Sequence, residues 1–266
     1  MEREKTNARE GGEEMPQEKQ SKPGQAAQGP ARPPRMVYAP TEREAEDGLP
    51  MIVFDLDGTI SDSYQLSIQA CRQVFGRMGL PALSLDVIES FNGLSADEVC
   101  RAMGIGPERR SEFEAFWAEA EDEAVRRFAR PFFGAMETLR ALEGDASLCL
   151  LTNGSASYMS QTLQKFGMAH LFVRKAAFAR GMTKADWICR WQKELCACRS
   201  LSVGDRETDV RAAHAAGALA LGVTYGTGGV GELMEADALA GDMAEVLTLS
   251  RRFCREGVLH GTADES

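Results

Sequence analysis

Long apolar runs are missing from this chain of 266 residues. None approaches the roughly 18 residues that cross a bilayer as a helix. No short apolar segment of the signal-peptide kind follows Met1, so no membrane partner is expected. Positive charge is also short. A net charge of −10 and a pI near 5.0 argue against nucleic acid, whose phosphate backbone calls for clustered Lys and Arg. A small anion held at a local positive site stays compatible with that balance. Paired cysteines are lacking too. The seven at positions 71, 100, 149, 189, 196, 198 and 254 are scattered and odd in number. No disulfide framework is expected, which points to a reducing, cytoplasmic compartment. Cys196-Ala-Cys198 has no second pair and no nearby histidine, so it reads as incidental thiols. The three histidines (170, 214, 260) are widely separated, and His214, inside a small-residue helix, reads as structural. The glycine-rich segment 225–231 lacks the GK[ST] ending of a P-loop and reads as a turn near the active face.

What is present is enough for one core of ordinary size, since 44% of the chain is hydrophobic. Residues 1–48 are the exception. They are rich in Glu, Gln, Lys, Gly and Pro and nearly devoid of large apolar side chains. Such a segment cannot bury enough surface to offset its ordering entropy, and disorder is predicted there. A core is expected over 49–62 and 131–250, with residues 251–266 as a C-terminal tail. Within it, short apolar runs at 51–54, 147–151, 200–203 and 219–223, and a weaker one at 171–178, alternate with amphipathic stretches at 155–166, 184–196 and 206–216. That alternation predicts βα units and a parallel sheet with helices on both faces. Tyr158, Leu163 and Phe166 on one helix, and Trp187, Ile188, Trp191 and Leu195 on the next, read as core stripes.

One interval breaks the pattern. Roughly ninety residues separate the first two strands, where about a dozen suffice for a crossover. Segments 63–78, 84–90, 95–103 and 107–128 all read as helix, with 135–142 as the crossover helix itself. The surplus, 63–130, is expected to be an inserted helical module. Ile60–Ser63 reads as the hinge into it.

The chemistry sits where the apolar runs end. Met51-Ile52-Val53-Phe54 stops at Asp55, with Asp57, Gly58 and Thr59 following. Thr152-Asn153-Gly154-Ser155 follows the second run, and Asp205 and Asp209 follow the fourth, with Lys184 between these groups. Ligands of open parallel sheets bind beyond the carboxyl ends of the strands, so these stretches should converge. Two carboxylates at the end of a buried strand are costly unless a positive charge neutralises them. Hard oxygen ligands suit Mg²⁺. A carboxylate can attack phosphorus, a second can serve as acid and base, and hydroxyl and backbone N–H groups can hold phosphoryl oxygens.

In order and spacing, FDLDGT, LTNGS, a lysine and GDRETD followed by AAHAAG resemble the haloacid dehalogenase-like hydrolase superfamily, and within it phosphatases of the phosphoglycolate phosphatase type. The likeness spans about residues 50–235. It implies a Rossmann-like fold with a mobile helical cap inserted after the first motif. It implies Asp55 as nucleophile and Asp57 as general acid/base, with Lys184 holding nucleophile and phosphate together. Thr152, Asn153 and Gly154 would bind phosphate. Mg²⁺ would be held by Asp55, the Asp57 backbone carbonyl, Asp205 and Asp209, the last through water. Dehalogenase members lack the second acid, so Asp57 points to a phosphate enzyme acting on a small phosphorylated metabolite. A phosphomutase of the β-phosphoglucomutase type would share these motifs, and a retired scaffold serving as a binding protein is the alternative outside catalysis. The loop Phe91-Asn92-Gly93-Leu94-Ser95 resembles the family's specificity loop but lacks the basic residue that phosphoglycolate enzymes often place after it; Arg72 and Arg101 read as exposed helix arginines.

Overall fold

A computed structural model describes residues 48–260, apart from 92–93, 178 and 180. The disorder expected for residues 1–48 therefore falls, Gly48 aside, outside the described residues. The first run forms β1 (Met51–Asp55), buried at every position. Its alternate side chains enter two different cores. Ile52 and Phe54 join one apolar cluster; Met51 and Val53 join the other. A strand buried on both faces has no solvent side, which is why its sequence shows no polar alternation. Full burial of each such side chain stabilises the fold by about 1.5–3 kcal/mol.

The remaining strands are β2 (Ser147–Leu151), β3 (Arg174–Ala176), β4 (Ser200–Gly204), β5 (Leu219–Val223) and β6 (Ala238–Ala240). All pair in parallel, in the order β3-β2-β1-β4-β5-β6. The chain thus winds outward from β1 in both directions, and the order reverses beside β1. Both edge strands have three residues. The run expected over 171–178 shortens to β3 because Arg174 and Lys175 carry its middle and are half-buried. β6 gave no readable signal; Ala-Leu-Ala is too short and too weakly apolar to stand out.

Helices α1 (Tyr64–Arg77), α2 (Leu85–Glu89), α3 (Ala96–Ala102) and α4 (Arg110–Phe128) form the inserted cap. Gln73 donates to Glu123 and Arg77 to Glu119, while the Arg77 guanidinium stacks over Phe116. These contacts join α1 to α4 along their outer surface, above a buried seam that includes Val74, Phe75, Phe113 and Ala120. The two chain crossings are bound together. Asp62 N–H donates to Arg130 O (3.0 Å), Phe132 N–H to Ile60 O (2.9 Å), and Arg130 pairs with Asp62.

The core helices are α5 (Ala135–Leu142), α6 (Ala156–Phe166), α7 (Lys184–Glu194), α8 (Glu207–Ala215) and α9 (Met243–Glu256). Leu139, Leu163, Val246 and Phe253 place α5, α6 and α9 in the cluster containing Phe54. Ile188, Trp191, Val210 and Ala213 place α7 and α8 against the opposite face. Residues 251–256 were expected in a C-terminal tail and instead continue α9. Asp242 caps its start, Gly257 ends it in the left-handed region (φ 79°), and Phe253 anchors its last turns in the core.

Candidate active site

Strand register brings the expected stretches to one level. Asp55 stands opposite Leu151, and Phe54 opposite Val203, so Thr152 and Asp205 emerge just past the same edge. Lys184 opens α7 one residue after its cap, Thr183, whose hydroxyl accepts the Asp186 N–H. Its ammonium donates to Asp55 Oδ1 and to Asp209 Oδ1, each at 2.6 Å. Burial alone would depress the lysine's pKa, but the carboxylates of Asp209 and Asp55 reverse the balance and hold it well above its usual range. Asp209 has a second task. Its Oδ2 accepts the Arg206 N–H (3.2 Å), which caps α8.

Asp205 is fully buried. Its Oδ2 accepts from Thr227 N (2.7 Å), Thr227 Oγ1 (3.0 Å) and Gly228 N (3.2 Å). Among the described residues its Oδ1 has no partner. Burial first, then Asp209, raises the Asp205 carboxyl to about 6. The glycine-rich segment that read as a mere turn thus wraps this side chain. A Cβ at Gly226 would strike it, and so would one at Gly58, which also holds a positive φ of 73°.

Asp55, Asp205 and Asp209 offer carboxylate oxygens within 4.8 Å of one another. Counting Asp57, four carboxylates crowd around one half-buried ammonium. Burial raises Asp55 well above the usual carboxylate range; Lys184 opposes this, while Asp209, Asp205 and Asp57 add to it. A divalent cation fits this donor set: the oxygens are hard, the negative charge is in excess, and Asp205 Oδ1 is an orphaned acceptor in a buried position.

The Asp57 carboxylate lies outside that trio. Tyr158 Oη donates a short hydrogen bond to its Oδ1, and Thr152 Oγ1 donates to its Oδ2 at 3.1 Å. Burial raises the Asp57 carboxyl, against the lowering effect of bonds from Tyr158, Thr152 and Ser63. Tyr158 was read from its spacing as a core residue. It is buried, yet its hydroxyl reaches the site, and nothing in a 3.6-residue stripe reveals where a phenol tip ends. Gly154 allows this, because a Cβ there would meet the Tyr158 ring. The Gly154 N–H, expected to face a phosphoryl oxygen, donates instead to Thr152 Oγ1 (3.0 Å). Ser155 caps α6 by accepting the Tyr158 N–H.

Seven of the eight expected residues, Asp55, Asp57, Thr152, Asn153, Gly154, Lys184 and Asp209, line one small cavity, and the eighth, Asp205, has a carboxylate oxygen within 4.8 Å of those of Asp55 and Asp209. The cap supplies the roof, from α1, α2, Phe91, Leu94 and α4. Sequence reasoning missed Glu121 of α4. Trp117 Nε1 donates to its Oε1 (2.8 Å), and Ser155 Oγ of the core donates to its Oε2 (3.4 Å). A buried acid within an amphipathic helix carries no distinct sequence signal.

The family model described as haloacid dehalogenase-like hydrolase matches residues 52–223. The chain belongs to that family. Among curated haloacid dehalogenase-like relatives, the phosphoglycolate phosphatase of Photobacterium profundum is 27% identical over 195 residues, covering 68% of this chain and 85% of the relative. That of Vibrio cholerae serotype O1 is 28% identical over 192 residues, covering 66% and 84%. Solved structures share the fold. A predicted phosphatase from Clostridium acetobutylicum matches with a TM-score of 0.67 at 21% identity, over 76% of this chain and 98% of that one. A predicted phosphoglycolate phosphatase from Haemophilus somnus gives 0.65 at 23%, over 75% and 97%. Among the described residues no helix is long and apolar enough to cross a membrane.

Proposed function

We propose that this haloacid dehalogenase-like protein is a Mg²⁺-dependent phosphoric monoester hydrolase. Its substrate would be a small phosphorylated metabolite, of the phosphoglycolate or sugar-phosphate type. The observation that carries this reading is the unpartnered, buried Asp205 Oδ1 beside Asp55 and the Lys184 ammonium. Asp55, Asp205 and Asp209 would hold the ion, with the Asp57 backbone carbonyl. When bound, Mg²⁺ would offset the charge excess and screen carboxylate from phosphate.

The protein's own groups then divide the work. The Asp55 carboxylate attacks phosphorus, forming a new P–O bond as the bond to the leaving oxygen breaks. Lys184 holds Asp55 in line and offsets charge on the phosphoryl group. Asp57, whose burial favours the protonated form, delivers its proton to the leaving oxygen. In the second half, the Asp57 carboxylate takes a proton from water as that water attacks phosphorus, and the Asp55–phosphorus bond breaks. The Thr152 hydroxyl, at 3.1 Å from Asp57 Oδ2, sits where it can turn from that carboxylate to a phosphoryl oxygen. The roof formed by the cap keeps bulk water from the reacting atoms.

The test is phosphate release from a panel of small esters, with Mg²⁺ and with chelator. Release with Mg²⁺ that is lost with chelator and in Asp55→Asn is expected. Unchanged turnover in Asp55→Asn would sink the mechanism. Accumulating sugar bisphosphate in place of inorganic phosphate would assign the chain to the phosphomutases instead.

A further inference from the structure

The roof of the cavity is unlike its floor. Among the described residues, Leu66, Ala70, Ile88, Phe91, Leu94 and Trp117 make it largely apolar. Its polar groups are Ser63, Ser67, Cys71 and the Glu121 carboxylate, and among the described residues it holds no Lys, Arg or His. The cationic side chains that do line the cavity belong to the core, and each is engaged. Lys184 spans Asp55 and Asp209, and Arg206 pairs with Glu232 (2.8 Å). The cap arginines lie elsewhere. Arg101 is exposed and pairs with Asp97; Arg72 is exposed and borders a separate cleft with Gln69 and Glu123.

Glu121 is held, not idle. Trp117 and Ser155 each donate to one of its oxygens, and each oxygen keeps a further lone pair. Both bonds fix the carboxylate as an acceptor at the wall where the leaving group must sit, above Asp57. A carboxylate-bearing leaving group would meet that acid across an apolar, low-dielectric roof with no cation to pair with. Burial lifts the Glu121 carboxyl to about 7, so above that pH it is ionised and like-charge juxtaposition disfavours such a leaving group. A hydroxyl or an amine would instead donate to Glu121 and satisfy it.

We propose that the cap selects phosphate esters whose leaving group presents a hydroxyl or amine donor to Glu121, and rejects those that carry a carboxylate. This narrows the phosphatase reading, keeping the sugar-phosphate type and setting the phosphoglycolate type aside, and rests on that reading for the position of the phosphate. It also separates this chain from the substrate named for its curated phosphoglycolate phosphatase relatives.

The probes are 2-phosphoglycolate, 2-hydroxyethyl phosphate and phosphoethanolamine, which differ mainly in the group facing Glu121. With the full chain and Mg²⁺ at pH 8.5, where Glu121 is ionised, kcat/KM for one of the two donor esters should exceed that for 2-phosphoglycolate by about tenfold or more. The two donor arms tell hydroxyl from amine. Glu121→Gln should narrow that gap by raising the 2-phosphoglycolate value. The same three esters are titrated calorimetrically into Asp55→Asn protein, where no turnover is needed. Equal or tighter binding of 2-phosphoglycolate there, or its preferred hydrolysis by the wild type, overturns the proposal. Donor-ester preference in that titration, with no phosphate released from any ester including p-nitrophenyl phosphate by the wild type, upholds the proposal and overturns the hydrolase reading.

Discussion

Asp55, Asp57, Lys184 and Asp209 face the cavity from the core, whereas Leu66, Ile88, Phe91 and Trp117 face it from the cap. One wall is built from strand ends and helix starts, where charge is concentrated and every acid but Asp205 has both oxygens or a cation engaged. The other is built from the inward stripes of short helices, with Glu121 as its acid. The difference teaches how labour divides in such a site. The wall fixed to a six-stranded sheet can hold carboxylates within ångströms of one another, because backbone pairing on both sides of β1 leaves them nowhere to go. The cap packs mainly through side chains and crosses to the core through two linkers, so it suits selection by shape and one polar contact.

The sharpest way to break this comparison is at the core wall. Asp55→Asn should lower kcat by more than about 10³-fold while leaving the far-ultraviolet dichroism unchanged. A collapse of the fold would mean that Asp55 is a structural acid. Asp57→Asn should cost about 10²–10⁴-fold, since it removes the proton donor and the base in one substitution. Single-turnover assays on a good leaving group, which needs no proton, should show a smaller loss in the first step than in the second.

Metal response gives the next effect. Mg²⁺ at 100 times its Kd should stabilise the wild type by about 2.7 kcal/mol, visible as a rise in Tm. Asp205→Asn should abolish that rise. Gly226→Ala, whose Cβ would push on Asp205, should weaken it. An undiminished rise in Asp205→Asn would move the metal elsewhere. Tyr158→Phe removes one donor from Asp57, and a loss of about tenfold in kcat is expected, matching about 1.4 kcal/mol for a bond to a charged group.

The cap wall is read most simply through stability. Burial raises the Glu121 carboxyl from 4.5 to about 7, with Trp117 opposing and Asp57 adding. The titratable groups coupled to it are Asp57 of the core, Asp122 of its own helix, Cys71 of α1 and Tyr158 of α6. A raised carboxyl means the native state binds the proton more tightly than the unfolded chain. Its contribution is complete below pH 4.5 and is lost as pH rises through about 7. Glu121→Gln should therefore gain stability on the wild type between pH 5 and 8, by an amount on the order of 2–3 kcal/mol at the alkaline end. Parallel Tm curves for the two proteins across that range would remove Glu121 from the buried set.

Much of the core was legible before any coordinates. Four of the five expected strands sit within a residue of their runs, because a strand buried on both faces must be apolar throughout. The fifth shrank to β3 and β6 went unread, since short edge strands need little burial and leave a weak pattern, and α9 was not read as a helix although Met243, Val246, Ser250 and Phe253 are buried along it. Asp55, Asp57, Thr152, Asp205 and Asp209 stood out because polar groups at or soon after the ends of apolar runs violate local expectation, and Lys184 stood out by its place between the second and fourth motifs. Tyr158 and Glu121 were not. Each satisfies its own helix as an ordinary member, and its second role depends on a neighbour far along the chain: Asp57 lies 101 residues from Tyr158, and Ser155 lies 34 from Glu121.

By itself, then, the sequence determined the sheet, the inserted cap and the charged residues at the strand ends, because backbone periodicity and burial are local properties that composition must obey. Only the tertiary structure decided which oxygen of Asp205 stands without a partner among the described residues, that the glycine-rich turn wraps that acid, and that Glu121 lines the same cavity as Asp57. Those are distances between groups remote in the chain, set by how a cap and a sheet pack, and no local pattern encodes them.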